Sequence, residues 1–138
     1  MLLGKCLQPQ ILASVYKMGH GSRILIADAG YPCITGVPLS ADKVWLNLAP
    51  GKVLVTDVLE ALTSVIPIEK AEVMHPTKGF DPEQEVFPEI RKLLPKDLEL
   101  TKTENFEFYD RARHEYTALL IATGEPRNWA NLLLTVGV

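Results

Sequence analysis

Three short stretches of this chain are apolar almost without interruption: Arg23–Ala27 (RILIA), Thr117–Ala122 (TALLIA) and residues 131–136 (NLLLTV). A strand with one face in water alternates apolar and polar residues, whereas a strand apolar at every position has to be covered on both faces. Helical patterns lie between these runs. Ile11, Leu12, Val15 and Tyr16 mark one apolar face over residues 9–18. Pro9 suits the first turn of that helix, and Gly19 suits the left-handed position just past its end. Leu54, Val58, Leu59, Leu62 and Val65 form a stripe over residues 53–66, which Pro67 ends. Asp81-Pro82-Glu83 reads as the start of a helix that reaches Leu94 and has to accommodate Pro88. A polar-aromatic helix spans 104–114, and shorter strand patterns occupy 43–48, 69–74 and 98–101. Strands alternating with helices, several of them doubly covered, set the expected fold class. It is α/β, a single domain over residues 1–138, with a mostly parallel central sheet and helices on both faces.

At 138 residues the chain can bury roughly two-thirds of its unfolded surface in one core. A net charge of −3 with no basic cluster argues against nucleic acid and anionic membrane surfaces as partners. No stretch approaches the ~18 apolar residues of a membrane span. Lys5, Gln8 and Gln10 break the apolar start well before the length of a leader, and Cys6 and Cys33 stand alone. Both features fit a reducing cytoplasm. The cysteines have no companions at zinc-site spacing, so no metal is expected. Phosphate-loop, dinucleotide, acyl-enzyme and zinc-hydrolase motifs are missing, so readings of those kinds have no support.

Two residues at either end of the first apolar run carry candidate chemistry. His20 sits between two glycines, where nothing bulky screens it. Imidazole ionises near neutrality, which suits proton transfer. The same position also fits a helix-terminal histidine set against the negative end of the helix dipole. Asp28 stands where the strand stops, and ligands of open α/β sheets gather at such ends. It also fits an aspartate that caps its own turn. Asp57 supports the start of a helix, His75 precedes a proline in a loop, and His114 belongs to a charged, solvated helix face.

Met18-Gly19-His20-Gly21, Ala27-Asp28-Ala29-Gly30-Tyr31-Pro32, Thr56-Asp57-Val58-Leu59, Phe106-Glu107-Phe108-Tyr109, Thr123-Gly124-Glu125, Trp129-Ala130-Asn131 and Val136-Gly137-Val138 occur in that order over nearly the whole chain. In this the chain resembles the D-ribose pyranase / L-fucose mutarotase family. The resemblance implies a cofactor-independent isomerase that interconverts anomers, or pyranose and furanose forms, of a free monosaccharide of L-fucose or D-ribose type. It implies a ring-forming homo-oligomer, often a decamer of two stacked pentamers, with the site at a subunit boundary. It places the proton donor at His20 and a second catalytic, sugar-binding residue at Asp28. Asn105, Trp129, Ala130 and Asn131 complete the expected pocket. A regular strand from Arg23 to Asp28 spans roughly 17–20 Å, more than one sugar can bridge. Either the Gly21-Ser22 turn folds back along the strand, or a neighbouring chain supplies one of the two residues. Asn105 replaces an ionisable residue of the family and cannot shuttle protons. Trp129 replaces a tyrosine, giving up the phenol oxygen for a broad apolar face. These two departures motivate an alternative expectation, a non-catalytic monosaccharide-binding or transport-accessory protein.

Overall fold

The computed structural model describes residues 1–76 and 83–138. Its elements follow in the order α1 (Pro9–Tyr16), β1 (Arg23–Ala27), β2 (Asp42–Trp45), α2 (Val55–Thr63), β3 (Ile68–His75), α3 (Val86–Leu93), β4 (Leu100–Glu104), α4 (Asn105–Ala112), β5 (Thr117–Ala122) and β6 (Leu132–Val136). The strands form one mixed sheet in the order β2-β5-β1-β6-β3-β4. β5 pairs in parallel with both β2 and β1, and β3 does so with β4. β6 lies antiparallel between β1 and β3. The sheet is therefore parallel in five of its strands, with β6 reversed. The connection explains the reversal. Residues 123–131 link β5 to β6, and a parallel return needs a crossover of about a dozen residues or more.

Both faces are covered, which accounts for the uninterrupted apolar runs. Ile24 and Ile26 of β1, Leu119 and Ile121 of β5, and Leu132 and Leu134 of β6 pack with Ile11, Leu59, Leu62, Phe87 and Ile90 of α1, α2 and α3. The intervening residues Leu25, Leu120, Ala122 and Leu133 meet Phe108 and Ala112 of α4, together with Tyr31, Val37 and Ala41 of the loop after β1.

Several boundaries depart from the sequence expectation. α1 stops at Tyr16 with Lys17 as its cap, and the left-handed residue after it is Gly21, at φ 84°, rather than Gly19. β2 stops at Trp45, short of residue 48. Its partner β5 runs out at Ala122, which pairs with Trp45. α3 begins at Val86 with Glu85 as its cap; Asp81 and Pro82 lie outside the described residues. Pro88 thus falls in the first turn, where its missing N–H leaves no helical bond unmade. β4 lies two to three residues later than expected and carries one apolar anchor, Leu100.

The loop leaving β5 is fixed by Gly124. Its N–H donates to the Val53 carbonyl at 2.9 Å, and its own carbonyl accepts from the Gly51 N–H at 2.7 Å. A Cβ at this position would fall inside contact distance of the Lys52 and Ala49 carbonyl oxygens. Both are backbone atoms and cannot swing away. Gly124→Ala is therefore expected to lower stability by about 1–3 kcal/mol, read as a lower Tm. An unchanged Tm would show that the loop has slack.

Candidate functional site

A cleft of about 250 Å³ opens where β1 and β3 end and β6 begins. Its floor is a reciprocal pair. The Asp28 backbone N–H donates to Asn131 Oδ1 at 2.8 Å, and Asn131 Nδ2 donates to Asp28 Oδ2 at 2.9 Å. The Gly30 N–H donates to Asp28 Oδ1 at 3.0 Å. Asp28 is 8% exposed and Asn131 4%. Burial pushes the Asp28 carboxyl above its ordinary range. Backbone N–H groups of Gly30, Tyr31 and Ala130 oppose that rise, and the Glu125 charge adds to it. A carboxyl whose folded pKa is raised stabilises the fold fully below its unfolded value, and that contribution is lost as pH rises through the folded pKa. The Asp28 carboxyl carbon is accordingly expected to titrate above the reference 3.8 by NMR. A midpoint at or below that value would mean that the N–H groups outweigh burial.

The rim is cross-tied. Thr123 Oγ1 donates to the Ala27 carbonyl at 2.7 Å, and the Ala29 N–H donates to the Glu125 carbonyl at 2.9 Å. Arg127 grips both oxygens of the buried Glu125 side chain, at 2.8 and 2.9 Å, and reaches Glu89 of α3 at 2.9 Å. Burial alone would raise the Glu125 pKa, but the Arg127 fork outweighs it and holds the carboxyl below its ordinary value.

The walls are apolar and aromatic. Met74 of β3, Tyr109 of α4, Tyr31 and Trp129 line them. Tyr31 donates its hydroxyl to the Gly36 carbonyl at 2.8 Å. Its ring stacks on Tyr109 with centroids 5.5 Å apart. The Arg113 guanidinium lies 5.3 Å from the Tyr109 centroid, and its Nε donates to the Thr35 carbonyl at 3.3 Å. Trp129 has φ 65°, a left-handed backbone for a bulky residue.

Of the residues expected from sequence, Asp28, Trp129 and Asn131 converge on this cleft. Ala130 is fully buried in the core behind it. Asn105 is the first residue of α4, one turn before Tyr109; its side-chain oxygen accepts from the Phe106 N–H at 2.8 Å. His20 lies at the other edge of the sheet. Its Nε2 donates to Glu69, near the start of β3, at 2.8 Å. It borders a separate hollow with Ser22, Glu115 and Tyr116. The Gly21 N–H is bonded to the Val136 carbonyl at the end of β6, at 2.9 Å. The turn therefore does not fold back along the strand, and one chain keeps His20 and Asp28 at opposite ends of β1. Tyr31, Met74, Tyr109 and Asn128 also line the cleft and were not among the expected site residues. Tyr31 and Tyr109 lie inside recognised motifs, but only the fold shows that they meet. Among the described residues no cluster of three or more His, Cys, Asp or Glu could hold a metal ion. No helix there is long and apolar enough to cross a membrane.

Fold and cleft together define an α/β protein with a cleft where β1 and β3 end, polar in the floor and aromatic in the walls. The chain belongs to the RbsD / FucU transport protein family, whose sequence model matches residues 1–138. It is 31% identical to a fucose mutarotase from Danio rerio, over 96% of this chain and 89% of that one. It is 27% identical to a D-ribose pyranase from Clostridium perfringens, over 96% and 94%. Its fold matches the structure of Bacillus subtilis RbsD complexed with D-ribose at a TM-score of 0.80 and 27% identity, covering 100% of this chain and 98% of that one.

Proposed function

We propose that this chain is a cofactor-independent mutarotase or pyranase that opens and recloses the ring of a free monosaccharide of the L-fucose or D-ribose type. The observation that carries this reading is the Asp28–Asn131 floor set among Tyr31, Tyr109, Trp129 and Met74. Ring opening needs a proton delivered to the ring oxygen and one taken from the anomeric hydroxyl, with no redox step. Asp28 accepts from sugar hydroxyls through the acceptor sites left on its oxygens and takes the proton of the anomeric hydroxyl. Trp129 offers a face to the sugar C–H surface, the Ala130 backbone holds Asn131 at the floor, and Asn105 extends the polar rim. His20 is the proton donor, with the Glu69 carboxylate fixing its ring.

In this reading His20 comes from a neighbouring subunit. A contact that joins the His20 edge of one chain to the Asp28 edge of the next is head-to-tail, and such contacts form rings where the rotation between neighbours closes. A homo-oligomeric ring, a decamer of stacked pentamers, a single functional domain over residues 1–138 and a cytoplasmic location belong to the same proposal. Asn105 and Trp129, neither of which titrates near neutrality, favour one second reading: a non-catalytic monosaccharide-binding or transport-accessory protein.

Exchange NMR on D-ribose and L-fucose separates the two, alongside light scattering for the assembly. Faster exchange between anomer or ring-form signals than in buffer supports the enzyme. Sugar binding without acceleration supports the accessory protein. A monomer at micromolar concentration would remove the inter-subunit site.

A further inference from the structure

His20 does not stand alone at its edge of the sheet. The hollow it borders holds about 350 Å³ and is lined by Gly21, Ser22, Glu115, Tyr116 and Ala118 as well. A sugar that takes a proton from His20 has to stand in or against this hollow, so it meets these neighbours too. The frame around it is fixed. The Gly21 N–H donates to the Val136 carbonyl and the Val136 N–H donates to the Ser22 carbonyl, both at 2.9 Å. The Ser22 hydroxyl is spent locally, accepting from the Gly19 N–H at 3.4 Å.

Tyr116 is held on both backbone and ring. Its N–H donates to His114 Nδ1 at 3.2 Å, and its carbonyl accepts from the Arg23 N–H at 2.7 Å. Its ring meets the His114 ring edge-on, with centroids 4.6 Å apart. The Arg23 guanidinium lies 5.8 Å from the Tyr116 centroid and is itself anchored on the Arg111 carbonyl at 3.2 Å. Yet Tyr116 stays 56% exposed. A side chain that is already held in place loses little further freedom on binding, so more of each contact it makes appears as affinity. A tyrosine also offers a broad ring and a phenol that both donates and accepts, which suits a sugar's mixed C–H and hydroxyl surface.

We propose that Tyr116 is a further sugar-binding residue, which enters the neighbouring chain's Asp28 cleft together with His20 and hydrogen-bonds a sugar hydroxyl. This rests on the reading of the chain as a ring-opening isomerase with an inter-subunit site, and it gives the His20 side of that site a second residue. Proton transfer stays with His20 and Asp28. Tyr116 supplies binding that is the same before and during ring opening, so its loss raises KM and leaves kcat in place.

The test is exchange NMR over a range of sugar concentrations, with whichever of D-ribose and L-fucose the wild type accelerates. Tyr116→Phe removes one oxygen and keeps the ring, so the Tm is expected to hold. kcat/KM is expected to fall about three- to tenfold, the worth of one hydrogen bond, and to fall through KM. Mixed rings then show which side of the site the hydroxyl belongs to. Asp28→Asn combined with Tyr116→Phe in one chain, mixed with His20→Ala chains, leaves His20–Asp28 sites without the hydroxyl and is expected to show the raised KM. His20→Ala combined with Tyr116→Phe in one chain, mixed with Asp28→Asn chains, leaves sites that keep it and is expected to show the wild-type KM. Equal KM in the two mixtures, or a loss below threefold in Tyr116→Phe, overturns the proposal. If His20→Ala still abolishes exchange in that case, the isomerase reading stands and the Tyr116 assignment alone falls. If the wild type binds sugar without accelerating exchange, calorimetry reads the same variant: a Kd raised by the same factor upholds Tyr116 as a sugar contact, and an unchanged Kd overturns it. If no sugar binds and no exchange is accelerated, both fall together.

Discussion

Replacing His20 by alanine is expected to slow sugar-ring exchange by about 10²–10⁴-fold, the range that general acid–base catalysis supplies. The fold should be indifferent to the change. The His20 side chain is 58% exposed and its partner Glu69 43%, and exposed pairs of this kind contribute at most about 1 kcal/mol. The melting temperature therefore serves as the control. Subunit mixing gives the sharper result. His20→Ala and Asp28→Asn chains are each expected to be inactive alone. If each site draws His20 from one chain and Asp28 from the next, random mixed rings restore two intact residues in about a quarter of the sites. A mixture as inactive as its parents would place both residues in one chain's site. That outcome contradicts the separation seen along β1, and the head-to-tail ring would have to be abandoned.

Much of this fold can be read from the chain, and the unreadable parts have identifiable causes. The runs that became β1, β5 and β6 are apolar at alternate positions toward both faces, so sequence alone shows that the sheet is covered twice. Periodicity carries no direction, however, and the reversal of β6 lies in the shortness of the link from Ala122 to Leu132. Leu46 and Leu48 continue the alternation of β2, yet a strand lasts only as long as its partner, and β5 ends at Ala122. The site shows the same division. Asp28, Trp129 and Asn131 flank strand ends, so their convergence follows once those ends are located. Tyr109 comes from a helix and Met74 from a strand far off in sequence. They meet the cleft because α4 packs across β3 and β4, which no local pattern encodes. Asn105 was aligned with them by motif, but stands one turn of α4 away from the lining. His20 carries a motif whose other half is at the opposite edge of the sheet, and sequence adjacency along a strand is the worst guide to proximity at its two ends.

Arg111→Ala is expected to cost about 3–5 kcal/mol of stability, because it leaves a buried carboxylate without its cation. The carboxylate is Glu72 of β3, 2% exposed. Arg111 of α4 approaches it with both nitrogen arms, Nε 2.6 Å from Oε1 and Nη2 donating to Oε2 at 2.8 Å. The Thr103 hydroxyl donates to the same carboxylate at 3.4 Å, and Arg23 donates to the Arg111 carbonyl at 3.2 Å. Lys70 is a weak substitute, 3.9 Å away and 48% exposed. The loss should appear as a fall in Tm of roughly 10–20 °C. Charge pairs of this kind add little over well-packed apolar residues, and the damage comes from breaking them singly. Glu72→Leu combined with Arg111→Met is therefore expected to recover most of the lost stability. Function should follow the same order, since Tyr109 lies two residues before Arg111 on α4 and lines the cleft. The single variant loosens that wall and weakens sugar binding, and the double variant restores both. A double variant that regains its Tm but not its sugar affinity would show that the ion pair sets the position of α4 to finer tolerance than stability demands, and that the cleft depends on that tolerance.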